Sequence, residues 1–277
     1  SGSIVPAGTT YTWTTPVSNP VGAITGGSSQ LTGISGIGQT VTNTTNAPAT
    51  LEYTVIPTVG ACVGNPFTLT VTVNPIPTTL GLINQTYCNA VSTSEIVFGN
   101  EVLGTTYSWT NSNTAIGLSA SGTGNIPLFT PTNTTAAPIT GTISVIATAN
   151  GCSRASETFT ITVNPSPAVS FSQANQTICS GDTSAVVTLS SATSGATFTW
   201  EALQPVGITG VITSGTDSIP AQTLVNNTNA PIIITYTATA STNDSSACAG
   251  SSYTYTITVN PRPNIENYSM IICSEEI

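Results

Sequence analysis

Three stretches of this chain end alike: FTLTVTVNPIP at Pro77, TFTITVNPSP at Pro167 and YTYTITVNPRP at Pro263, 90 and 96 residues apart. A fixed period of this length constrains the fold more than any other feature, because it means that one structural unit is built repeatedly. Other landmarks keep the same order and period. Trp13, Trp109 and Trp200 lie in YTWT, YSWT and FTWE. NTTNAP, NTTAAP and NNTNAP begin at Asn43, Asn133 and Asn226. Cys62, Cys152 and Cys248 sit in small polar loops before the closing strand, while Cys88, Cys179 and Cys273 follow it in QTYC, QTIC and MIIC.

Each unit reads as strands. In FTLTVTV, Phe67, Leu69, Val71 and Val73 alternate with threonines, and period two puts the two sets on opposite faces. Leu51, Tyr53 and Val55 repeat the pattern, as do Ile232, Ile234 and Tyr236. No segment keeps a helical period. Short strands with frequent turn signals, about seven to a unit, predict an all-β chain of tandem immunoglobulin-like β-sandwich domains in a linear rod. Trp13, Trp109 and Trp200 are expected in equivalent cores. Proline lacks a ladder donor and pushes the residue before it to extended geometry. Asn-Pro-x-Pro should therefore end the last strand and leave a stiff joint. The predicted units are a partial sandwich at 1–77 lacking its first strands, whole sandwiches at 78–167 and 168–263, and the first strand of a fourth at 264–277. The repeats are expected to continue on both sides.

Charge then removes whole classes of function. The chain has two basic residues, Arg154 and Arg262, against eleven acidic ones, and neither Lys nor His. A nucleic-acid partner needs cations to neutralise phosphates, and an anionic membrane surface needs a polybasic patch. Neither is available. Without His there is no Ser-His or Cys-His pair, and without Lys there is no Schiff base and no Lys–Asn isopeptide. The acids do not recur at equivalent repeat positions, as solvated surface charge would not. No enzyme, cofactor or metal site is expected. NDSS at Asn243 and the turn at Asp182 hold too few oxygens for calcium.

The cysteine spacings, 26, 64, 27, 69 and 25 residues, lack the close pairs of a zinc site. Free core thiols are one reading; disulfides in an oxidising compartment fit better. Pairing Cys62 with Cys88 would close a short loop. However, the closing strand runs about 11 residues, roughly 35 Å, from Cys62 to the far end of its unit. If the first strand enters beside the loop that precedes the last strand, Cys88–Cys152 and Cys179–Cys248 are favoured. Cys62 and Cys273 would then pair outside this stretch.

Taken together, CSGDTS, FTWEA, NNTNAP, SACAG and TITVNPRP resemble the PKD-like repeats of giant secreted proteins of Bacteroidota, including the SprB-type gliding-motility adhesins. The turn that follows the Trp strand in true PKD domains is replaced here by WTTP, WTNS and WEAL. The resemblance implies a stalk of a cell-surface adhesin filament, exported by type IX secretion and held at the outer membrane. Its partners would be neighbouring repeats, surface polysaccharide or substratum, and the secretion and motility machinery. The alternative it implies is a spacer or carbohydrate-binding segment of a large secreted polysaccharide-degrading enzyme. Bacteroidota glycosylate D-[ST]-[apolar or T] sequences, which makes Ser218 a glycosylation candidate. The matches to N-x-[ST] at Asn84, Asn133 and Asn175 carry no such implication.

Overall fold

Alternating threonine and apolar residues fold here as strands that bury one row and expose the other. The computed structural model describes residues 5–78, 80–99, 101–243, 247–265, 267 and 269–271. Among them the only helical element is a 3-10 turn, Thr114–Ile116. The chain is all-β, and its sheets pack as sandwiches.

Every repeat is organised on a long strand of 11 residues: Ala49–Val59, Ile139–Ala149 and Ile232–Thr242. The closing strand lies against it, as Phe67–Val73, Glu157–Asn164 and Tyr253–Asn260. The Trp strand covers its other edge, so that Trp13 opposes Val55, Trp109 opposes Val145 and Trp200 opposes Ala238. All three indoles are buried. In the middle of the chain one sheet runs Ser121–Thr123, Thr106–Asn111, Ile139–Ala149, Glu157–Asn164, Gln85–Cys88.

The chain folds as two compact units. One comprises Ser1–Gln85, Ser92–Thr130 and Thr140–Ile161; the other comprises Thr86–Val91, Pro131–Ile139 and Thr162–Ile277. In the second unit, a five-stranded sheet has the order Gln176–Cys179, Tyr253–Asn260, Ile232–Thr242, Ala196–Ala202, Ser214–Thr216. A three-stranded sheet of Ser170–Phe171, Val187–Ser190 and Ser218–Ile219 contributes to the same core. Trp200, Tyr236 and Tyr255 fill that core, with Trp200 and Tyr236 edge to face at 5.7 Å. One pairing in this sheet is parallel: Gln176–Cys179 runs alongside Tyr253–Asn260, with Cys179 opposite Asn260.

A recurring Ser-Gly-Thr hairpin strand makes room for the indoles. Trp109 faces Gly122 and Trp200 faces Gly215 in register. A Cβ on Gly122 would come 2.2 Å from the indole, and one on Gly215 2.6 Å. Gly215→Ala should therefore cost about 1–3 kcal/mol through overpacking. Thermal unfolding checks it: the glycine's role here is disproved by an unchanged midpoint.

Burial raises the phenols of Tyr53, Tyr87, Tyr107, Tyr236 and Tyr255 above the usual 10.0. The folded state then holds these protons more tightly than the unfolded state does. Their contribution is complete below pH ~10 and is lost as pH rises through the folded values. No His or Lys titrates in addition. Urea midpoints should be level from about pH 6 to 8 and fall steeply above about pH 10; a neutral-range slope would contradict this.

Candidate functional site

The residues that recur gather at the two ends of each repeat, where one repeat hands over to the next. At the exit end, the motif N-x-T-x-A closes on itself. Asn226 donates through Nδ2 to the carbonyls of Ala230 (2.8 Å) and Val259 (2.9 Å). Its Oδ1 accepts from the amide and hydroxyl of Thr228 at 2.9 and 2.7 Å. Asn133 makes the same four bonds to Ala137, Val163 and Thr135, and Asn43 makes them to Ala47, Val73 and Thr45. The Asn-Pro-x-Pro stop follows. Proline has no N–H to continue a ladder, and the asparagine amide occupies the last valine carbonyl.

The first strand reaches the same end. Asn89 donates its amide to Asn164 O at 3.0 Å, and Ser180 donates to Asn260 O at 2.8 Å. Cys88 and Cys179 therefore stand beside the Asn-Pro stop of their own repeat. The residue between the prolines completes the cluster: Ser166 accepts from Asn89 Nδ2 at 3.4 Å. Arg262 donates from Nε to Ser180 O at 2.6 Å and pairs with Asp182.

The entry end meets this exit end twice. Arg154, two residues after Cys152, donates from Nη1 to Pro77 O at 3.3 Å. It also pairs with Glu157 at 2.7 Å, and Glu157 accepts the amide of Leu80 at 3.1 Å. Asn74 Nδ2 reaches Asn150 O at 2.8 Å, and Asn46 reaches Glu101 at 2.9 Å. At the following joint Gly250, two residues after Cys248, lies so close to Pro167 that a Cβ would fall 1.8 Å from its carbonyl oxygen. Arg154 thus serves a joint, while Arg262 ties the first strand of its own repeat to that repeat's Asn-Pro-x-Pro stop.

This geometry corrects the expected disulfides. Cys88 bonds Cys248, with Cα atoms 5.4 Å apart, and Cys152 and Cys179 are unpaired. The expected pairs, Cys88–Cys152 and Cys179–Cys248, assumed that the first strand's cysteine lies beside the loop before the last strand. The parallel pairing puts Cys179 at the opposite end of Tyr253–Asn260 from that loop. The separation is at least the length of that strand, roughly 23 Å, against the 7 Å or less a bridge needs. The reach of Cys88 is instead to the loop of the next repeat. Cys62 is an exposed thiol, and Cys273 lies outside the described residues.

The other singled-out residues also have definite places. Ser218 is half-buried on a strand, where its carbonyl accepts the Trp200 indole N–H at 2.9 Å. Ser28 does the same for Trp13 at 2.9 Å. Asn84 and Asn175 accept closing-strand amides of Thr160 and Thr256 at 2.9 and 3.0 Å. With Asn133 bound as above, the three N-x-[ST] matches mark structural hydrogen bonds. Among the described residues no group of three or more His, Cys, Asp or Glu gathers as metal ligands, and no helix is long and apolar enough to cross a membrane.

Residues 3–77 and 176–263 match a family model described as "PKD-like domain". No curated protein matches the chain. Solved structures that resemble it include human CDH23 EC21-23, at 12% identity and TM-score 0.39, covering 92% of this chain and 89% of that one. Mouse cadherin-23 EC22-24 resembles it at 12% identity and TM-score 0.33, with coverages of 92% and 86%. For chicken CNTN1 FN1-FN3 the figures are 11%, 0.33, 94% and 91%.

Proposed function

The chain belongs to the PKD-like domain family, and from that premise we propose that it is a non-catalytic, extracellular stalk segment of a large cell-surface adhesin. Its repeats are taken as 1–77, 78–167 and 168–263; the first strand of a fourth, expected at 264–277, falls largely outside the described residues. The observation that carries this reading is the repeated joint. At two of the three loop cysteines, Cys152 and Cys248, the residue two past the cysteine seats on the final proline carbonyl of the repeat before it, Arg154 on Pro77 and Gly250 on Pro167. A flexible tether between independent modules has no need of such a fixed seat; a stalk that must hold its direction does.

In this reading the stalk serves surface attachment and gliding, and reaches the outer membrane by type IX secretion. Its partners are neighbouring repeats, with substratum or surface polysaccharide beyond them. Antibodies against the chain should label intact cells of the source organism, and its deletion should reduce attachment under flow and stop gliding. Labelling only after permeabilisation would refute the surface assignment. The alternative is a spacer or carbohydrate-binding segment of a secreted polysaccharide-degrading enzyme, supported by the open rows of threonine hydroxyls on the sheets. Tight binding of the chain to one polysaccharide on a glycan array, with attachment unaffected by its deletion, would favour it.

The same reading makes Ser218 a glycan acceptor. It follows Asp217, whose φ of 58° turns the chain into the strand. Mass analysis of peptide 205–230 from native protein should show an added sugar. An unmodified peptide would remove the assignment.

A further inference from the structure

We propose that disulfides in this chain run between successive repeats in one register. The cysteine closing the first strand of a repeat bonds the loop cysteine of the repeat after it. Cys88–Cys248 is the instance the chain contains in full, joining residues 160 apart. The unpaired cysteines occupy the same two kinds of place. Cys179 repeats the position of Cys88, since Ser180 binds Asn260 as Asn89 binds Asn164. Its thiol is exposed at the exit end of its repeat, beside the Arg262–Asp182 pair.

Cys152 repeats the position of Cys248. Its loop seats on the preceding Asn-Pro-x-Pro through Asn150 and Arg154, as the Cys248 loop does through Gly250. Asn74 stands where Asn164 and Asn260 stand, and those residues each have a first-strand cysteine next to them. Asn74 binds Asn150, two residues from Cys152. A first-strand cysteine beside Asn74 would therefore face Cys152, as Cys88 faces Cys248. The register assigns Cys62 and Cys152 to first-strand cysteines of the repeats before theirs. It assigns Cys179 to the loop cysteine of a repeat placed after its own. It also forbids Cys62, Cys152 and Cys179 from pairing with one another.

Each bond forms by transfer of two electrons and two protons from a pair of thiols to a disulfide oxidant, which leaves as two thiols. Oxidised glutathione serves in the test. The 277-residue chain is refolded with it, free thiols are alkylated, and the protein is digested with pepsin. Cys88–Cys248 should be the only crosslink, with Cys62, Cys152, Cys179 and Cys273 alkylated. In a second protein, a copy of residues 168–263 follows Pro263 directly. There Cys179 should leave the alkylated pool and bond the loop cysteine of the copy.

Cys248→Ser in that protein should free Cys88 and leave the new bond in place, so a failure of one crosslink does not hide the other. Alkylated Cys179 in the extended protein, or a Cys88–Cys152 or Cys179–Cys248 crosslink in either, overturns the register. The inference rests on the stalk reading only through its repeat boundaries. Peptide mapping reports connectivity and cell attachment reports function, so each can fail alone.

Discussion

Stretched from its two ends, the reduced chain should lengthen about 550 Å further than the oxidised chain before it is fully extended. Cys88–Cys248 takes the intervening residues out of the force path, a sequence separation of 160. At about 3.3–3.6 Å per residue, breaking that bond releases the difference. Single-molecule pulling in the presence and absence of reductant measures it directly. Had the bridges lain within the repeats, as Cys88–Cys152 and Cys179–Cys248, reduction would release two separate and shorter increments. Equal contour lengths in the two conditions would mean that the bond is absent in solution.

The second large effect concerns the asparagine that closes each repeat. Asn226→Ala should destabilise the third repeat by about 3 kcal/mol, near the upper end for one substitution. The change leaves Val259 O without its partner in a buried setting and strips Thr228 of the acceptor for both its amide and its hydroxyl. Asn226 is 6% exposed, so water does not replace these bonds freely. In urea the midpoint should fall by roughly 1 M or more, given a slope of about 1–3 kcal/mol per M. Thr228→Val should cost about 1 kcal/mol. The exposed neighbour Asn227, changed to Ala, should cost almost nothing. If Asn226→Ala behaved like Asn227→Ala, the closure would be incidental to stability.

Much of this was legible in the sequence because it is local. Period-two alternation predicts which face of Tyr253–Asn260 turns inward, and Tyr255, Ile257 and Val259 are buried. The stop after Asn260 follows from proline's missing donor. What could not be read was how the four-residue first strand pairs. Gln176–Cys179 is too short for its pattern to distinguish a parallel from an antiparallel neighbour, and that choice alone moves its cysteine from one end of the repeat to the other. Asn133 and Asn226 were visible as repeated landmarks. Their work is done on carbonyls 30 and 33 residues away, which no local pattern names. The glycines facing Trp109 and Trp200 recur in SGTG and SGTD. That signal was available, but it acquires meaning only once the register opposes them to the indoles.

The bond between Cys88 and Cys248 also bears on survival among extracellular proteases. Exposed loops are where backbones are nicked. An enzyme that cuts after basic residues finds two in this chain, Arg154 and Arg262. Arg262 precedes Pro263, and such enzymes cleave poorly before proline. Arg154 lies between the two bonded cysteines. A cut there separates two lengths of backbone that the sulfur bridge still holds as one molecule. Damage that would sever an unbridged chain becomes, in this one, a nick that the disulfide bypasses.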